Sequence, residues 1–340
     1  RKGKVGQSMP LSRLKQTAAP WFAALLLSVS LTGCLSPAEP SSSDPGAVIT
    51  GGSTAATTAP TTAGTTLAPT KTNANEAIRG LLVNNPYGLK IDKASLDALE
   101  KLYTGLNSKA SLYYRDIESG LTIEYLADYD WQSASCIKAP YVKYLLSSGV
   151  DRNEKLKMTA KMGGSTHIDS FPIGTAFTVD ELLKYAILYS DNTAYYMLNQ
   201  RYAFDGFVDY AASLGIETDL RLPKPRFGYL SARDAGLYFE DIYRFIEAGS
   251  EEGQMLYDYL THTTYQLQIP DAFKGKYTVA HKYGEQGNMG YHDAAIVYNE
   301  HPYILTIFTT LTPETDSTLA TFHKIAGLVD AIHRTAYGQG

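Results

Sequence analysis

Strand-like and helix-like segments are segregated along this chain in a way that leaves few architectures open. Beyond residue 76, β-rich runs stand near both ends of the remaining sequence, and helical periodicity fills most of the space between. A helical pattern carried by Leu96, Leu99, Leu102 and Leu106 comes first. Residues 111–116 and 121–125 are joined by Ile117-Glu118-Ser119-Gly120 and read as a hairpin. Helices are expected at 135–146, 179–189, 193–199, 205–214 and 231–248. Strands return at 277–283, 294–298 and 303–311, the last two linked through Asn299-Glu300-His301-Pro302. The chain closes with an amphipathic helix whose apolar face is Leu319, Phe322, Ile325, Ala326, Val329 and Ile332. Hairpins and adjacent runs favour antiparallel pairing. The expected fold is therefore α+β: an antiparallel sheet built from both ends of the domain, flanked by helices, with an inserted all-helical lobe. A cleft between sheet and lobe is the natural place for chemistry.

Not all 340 residues belong to that fold. Residues 1–33 carry Arg1, Lys2, Lys4, Arg13 and Lys15 with no acidic side chain, then an uncharged apolar stretch from Ala18 to Gly33. That is the profile of an export signal, too short for a comfortable spanning helix, and Met9 would give it a more usual length. Leu31-Thr32-Gly33-Cys34 resembles a bacterial lipobox. The resemblance implies cleavage before Cys34 and acylation of its sulfur, so that the protein is exported and lipid-anchored on the extracytoplasmic face of the cell membrane. The alternative is an ordinary signal peptide with a chance cysteine. Residues 34–75 are dominated by Ser, Thr, Pro, Ala and Gly, cannot recover their ordering entropy by burial, and read as a flexible tether. The folded domain is expected at 76–340, as a monomer. Because the formal net charge of −5 includes the basic leader, the domain is more acidic than the whole. Nucleic acid is not an expected partner for such a surface, which repels phosphate.

Several chemistries lack their motifs. The seven histidines form no HExxH or other close ligand pair and Cys136 stands alone, so no zinc site is supported. No Walker loop, GxGxxG or GxSxG occurs; Gly284, Gly287 and Gly290 read as a loop between strands. Three polar clusters remain. Ser135-Cys136-Ile137-Lys138 opens an apolar helix, Ser190-Asp191-Asn192 sits at a break between two helices, and Lys282-Tyr283-Gly284 ends a β-run. Singly, each has an ordinary structural explanation: a helix start, a cap, the polar end of a strand. In this order and these contexts they resemble the SxxK, SDN and KTG motifs of the serine β-lactamases and penicillin-binding proteins, and most closely the class A β-lactamase fold over residues 90–338.

A serine hydroxyl needs a base, and a lysine can serve only if desolvation or nearby positive charge lowers its pKa. Lys138 lies three residues after Ser135, on the same helical face, which makes Ser135 the candidate nucleophile and Lys138 its base. Ser135 at the helix start also meets the positive end of the helix dipole. The resemblance implies that Ser190 relays a proton to the leaving nitrogen, Asn192 binds the substrate amide, and Lys282 attracts a substrate carboxylate. It also implies that the backbone N–H groups of Ser135 and Glu285 form an oxyanion hole beside Tyr283 and Gly284. Lys282 near Lys138 would help keep the latter neutral. No metal or organic cofactor is implied.

Three departures from the family pattern stand out. The loop expected to hold a deacylating glutamate, residues 215–232, contains only Glu217, at its entry, so an acyl-enzyme is expected to form and persist. Tyr283 replaces a threonine whose hydroxyl would help hold a carboxylate. No arginine follows in 284–297, where the candidate cation His292 reads as a surface or turn residue. Cys136 is expected to be a small core residue, turned away from the face that Ser135 and Lys138 share, and the 26 tyrosines, Tyr195 and Tyr196 included, mainly to pack at the core edge. The expected activity is that of a serine acyl-hydrolase acting on a β-lactam or related amide. The alternatives are a D-alanyl peptidase or transpeptidase acting on peptidoglycan peptides, and a non-catalytic cell-wall-binding lipoprotein.

Overall fold

The computed structural model describes residues 80–107, 109–164, 167–202, 204–216 and 227–339. The expected export signal, the Cys34 lipidation site, the 34–75 tether and Glu217 lie outside the described residues.

In chain order the elements are β1 (Leu82–Asn84), α1 (Lys93–Gly105), β2 (Ala110–Asp116), β3 (Thr122–Tyr125), β4 (Trp131–Gln132), a 3₁₀ turn (Ala134–Ile137) and α2 (Lys138–Ser147). There follow β5 (Lys155–Lys157), a second 3₁₀ turn (Ile168–Ser170), β6 (Ala176–Thr178), α3 (Val179–Leu188), α4 (Asn192–Arg201), α5 (Asp205–Ser213), β7 (Tyr229–Leu230) and α6 (Ala232–Glu247). The last are α7 (Glu251–Thr261), α8 (Ile269–Ala272), β8 (Thr278–Glu285), β9 (Tyr291–Tyr298), β10 (Tyr303–Thr309) and α9 (Asp316–Ala336).

The main sheet has the order β1-β3-β2-β10-β9-β8, antiparallel at every step. Both ends of the domain supply it, as expected, and β8 forms one edge. Two small ribbons, β4 with β7 and β5 with β6, complete the pairing. Alternate residues of each central strand serve different cores. Tyr113, Ala294, Ile296, Ile304 and Phe308 join the core beneath the helical lobe, with Ile137, Tyr141, Leu182, Tyr195 and Phe239. Leu112, Tyr114, Ala295, Val297 and Leu305 join a second core with Leu99 and Tyr103 of α1 and with Phe322, Ile325 and Val329 of α9. Burial on both faces explains why these strands read as continuous apolar runs rather than alternating ones.

Local signals set the helix starts around the site. Thr178 and Glu181 form a reciprocal capping box at the head of α3. Asp191 caps α4, accepting from the backbone N–H of Ala194 at 2.8 Å. No described helix is long and apolar enough to cross a membrane.

Candidate active site

Ser135 lies in the 3₁₀ turn that precedes α2 rather than in the helix itself; the helix begins at Lys138, whose backbone N–H donates to the Ser135 carbonyl. Ala134 holds the turn in the left-handed region, at φ 46°. Cys136 and Ile137 are buried on either side of the chain here, while Ser135 stays partly exposed. Burial pushes the Cys136 thiol pKa up, and the thiol donates to the Lys282 carbonyl at 3.3 Å, so it is the core residue expected.

The break between α3 and α4 brings the second cluster to the same place. Ser190 takes φ 53°, an uncommon conformation for a residue with a Cβ, directly before Asp191 caps the next helix. Both Asp191 carboxylate oxygens are spent on backbone N–H groups, those of Ala194 and Ile168. Asp191 is thus the structural member of the trio, and the residues flanking it face Lys138. The Lys138 amine donates to the Ser190 carbonyl at 2.5 Å and to Asn192 Oδ1 at 2.7 Å, and lies 3.4 Å from Ser190 Oγ. A neutral amine has two N–H groups for the two carbonyl-type acceptors, which leaves its lone pair available.

Burial, and after it the positive charge of Lys282, holds Lys138 well below the usual lysine range, against the opposing pull of Asp191. Lys138 is fully buried, with the rings of Tyr195 and Phe227 5.8 and 5.5 Å from its amine. The third cluster arrives on β8. Lys282, also fully buried, donates to Ser190 Oγ at 3.0 Å and to the Tyr283 carbonyl at 2.9 Å. Its pKa is lowered to about 7 by desolvation. Gly284 lies against the 3₁₀ turn, where a Cβ would sit 3.0 Å from the backbone nitrogens of Ser135 and Cys136 and from Ala134 Cβ. Only glycine lets the edge strand approach the serine's peptide this closely. Glu285 follows at the exposed end of β8.

The three motifs therefore converge, with Ser190 Oγ between two buried amines. Two expectations need adjustment. The hydroxyl of Ser135 makes no hydrogen bond to Lys138 or to any other described residue; the amine is turned to Ser190 and Asn192 instead. The Asn192 amide is held by Lys138 and by the Gly163 carbonyl, at 3.1 Å. His292 corrects the sequence reading outright. It is fully buried in β9, accepts from the Thr309 N–H through Nδ1 and donates through Nε2 to the Gln132 carbonyl, at 3.0 and 2.9 Å. Desolvation lowers its pKa to about 4, so it ties β9 to β4 as a neutral ring and supplies no cation.

Sequence reasoning passed over one polar group next to the site. His281, Asp293 and Thr263 form a buried line: His281 Nδ1 lies 2.8 Å from Asp293 Oδ1 and Nε2 lies 2.6 Å from Thr263 Oγ1. The signal was available in the alternation along β8, where a histidine beside a lysine must face the opposite core.

Comparisons with known proteins bear on the fold and the family. Among solved structures, PBP-A superposes with a TM-score of 0.60 at 20% identity, over 68% of this chain and 94% of that one. A variant of PBP-A is also known as an acyl-enzyme complex with penicillin G. A β-lactamase from Xanthomonas campestris pv. campestris gives 0.63 at 14% identity, over 72% and 99% of the two chains. One from Sphaerobacter thermophilus gives 0.61 at 17%, over 71% and 97%. A search of curated proteins finds no significant match. The sequence model of the beta-lactamase enzyme family matches residues 93–332, which together with the shared fold places this chain in that family.

Proposed function

We propose that the protein is a serine acyl-hydrolase that opens a β-lactam or related amide through an acyl-Ser135 intermediate and releases it slowly. The observation that carries this reading is the Ser190 hydroxyl, set 3.0 Å from the Lys282 amine and 3.4 Å from the Lys138 amine, all three side chains being buried. Neutral Lys138 takes the Ser135 hydroxyl proton as Ser135 Oγ bonds to the carbonyl carbon. The oxyanion that forms is met by the backbone N–H groups of Ser135 and Glu285. On collapse the C–N bond breaks, and the proton held by Lys138 passes through Ser190 to the leaving nitrogen. Asn192 holds the substrate, Lys282 hydrogen-bonds the Ser190 hydroxyl, and Tyr283 and Gly284 shape the wall beside it. Slow release follows from the sequence of residues 215–232, whose only glutamate is Glu217. That same poverty favours, as a second reading, a penicillin-sensitive peptidase acting on D-alanyl peptides of the cell wall. Export and anchoring through a lipidated Cys34 place either activity outside the cytoplasm.

Incubation with a fluorescent penicillin, followed by intact-mass spectrometry, tests the proposal. An adduct on Ser135 that persists over many minutes is expected, and Ser135→Ala abolishes it. Rapid decay of the adduct points to an efficient β-lactamase. No adduct, with Ser135→Ala indistinguishable from wild type, leaves only a wall-binding role.

A further inference from the structure

The amine to which the family resemblance assigns carboxylate binding is not open to a carboxylate. Lys282 is fully buried, two of its N–H directions are spent on Ser190 Oγ and the Tyr283 carbonyl, and the Tyr283 ring covers it with its centroid 4.0 Å from Nζ. That ring is held from behind. Tyr265 packs against Tyr283, its ring tilted by 31° with centroids 4.3 Å apart, and its hydroxyl is hydrogen-bonded to that of Tyr291. The Tyr265 carbonyl accepts from Thr263 at 3.2 Å, and Thr263 is the outer end of the buried line through His281 to Asp293. Tyr283 is half-buried and has one face toward the amine, so it can leave only if this support yields.

We propose that Tyr283, clamped by Tyr265, is a specificity-determining gate: it screens Lys282 from substrate, so that the site gains little from an anionic group beside the scissile bond and takes uncharged acyl donors on nearly equal terms. A cation already covered by an aromatic face and bonded to two oxygens has little attraction left for a carboxylate, which would have to shed water to reach it. The position where the family pattern has a threonine hydroxyl carries instead a ring that excludes the anion. This inference rests on the acyl-serine reading for its substrate and on the packing alone for the gate.

The test compares labelling of Ser135 by a fluorescent penicillin and by the methyl ester of the same compound. In wild type the acid-to-ester rate ratio is expected within about threefold of one, and in Tyr283→Thr it is expected to rise about tenfold. Tyr283→Phe keeps the ring and loses the side chain's hydrogen bond to Ser190, a loss that bears on acid and ester alike, so it should keep the wild-type ratio. A wild-type ratio already about tenfold in favour of the acid, or one that Tyr283→Thr leaves in place, overturns the gate. A second measurement needs no acylation: reductive methylation with formaldehyde and cyanoborohydride, mapped by peptide mass spectrometry. Lys282 should be protected in wild type and modified in Tyr283→Ala. Ready modification in wild type, or protection undiminished in Tyr283→Ala, overturns the proposal. Should no variant form an adduct, the acyl-serine reading falls and the methylation pattern alone decides the gate.

Discussion

The two faces of β8 bury polar groups in opposite ways. On the face toward the helical lobe, Lys282 and its neighbour Lys138 are fully buried with no carboxylate in ion-pair contact among the described residues; their partners are hydroxyl and carbonyl oxygens. On the other face His281 is equally buried, yet it meets Asp293 directly, and the second oxygen of Asp293 accepts from the Ile269 N–H at 3.1 Å. A similar contrast occurs along α2, where Lys143 pairs with Asp241 and Lys138 has no such partner. A buried acid or base bonded directly to a partner of the opposite kind holds structure together. A buried amine without one is driven toward neutrality, the form a proton acceptor needs.

The comparison is open to attack at both ends. Lys138→Met should lower the rate of Ser135 acylation by about a thousandfold, as expected for loss of a general base, and should change the melting temperature little, because relief of the buried amine's desolvation offsets the loss of its hydrogen bonds to the Ser190 carbonyl and Asn192 Oδ1. Undiminished labelling would refute the assigned base, and a large drop in melting temperature would refute the contrast. Asp293→Ala should do the reverse. It strands His281 and the Ile269 N–H, and denaturant titration should register a loss of roughly 3 kcal/mol, the usual cost of breaking a buried pair from one side. A loss below about 1 kcal/mol would show the line to be dispensable.

Titration supplies a third check. Lys282 is lowered to about 7 in the folded chain, so between that value and the ordinary lysine pKa the unfolded chain binds more protons. Stability should therefore rise with pH from about 7 towards 10, and Lys282→Met should flatten that slope. His292 acts in the same sense lower down: its pKa of about 4 means that stability is lost as pH falls from about 6.5 to 4. A wild-type curve that declines above pH 7, with Lys282→Met unchanged, would contradict the buried-amine picture. The smallest effect is expected for Thr263→Val, which removes one hydroxyl from the end of the His281 line and should cost about 1 kcal/mol by the same titration.

Much of this was legible in the sequence, because the dominant signals are local. The hairpin of β2 and β3, the apolar face of α9 and the three polar clusters all follow from turn residues, periodicity and spacing. What was missed was either short or deceptive. The strands β1, β4, β5, β6 and β7 have two or three residues each, too few for any periodicity. Helix α7 announces itself only by Ser250 with Glu251 and Glu252, and Gly253 in its first turn obscures the pattern. Strand β9 begins at Tyr291, three residues before the apolar run starts, because His292 and Asp293 look like turn residues and are in fact fully buried, satisfied by partners distant in sequence. The orientation of the Lys138 amine was equally out of reach. Spacing put it on the serine's helical face, but the carbonyl at the left-handed Ser190 and the Asn192 side chain decide where it points.

The position of Ser190 has a consequence for how the molecule fails. Its hydroxyl touches one amine carried by α2 and another carried by β8, so it sits at the seam where a helix and a strand meet over one shared core. Any warming or solvent change that lets helix and strand drift by a fraction of an ångström breaks one contact before that core loosens. Heat should therefore silence the protein below its melting point, and cooling should restore it: the seam works as a thermal fuse.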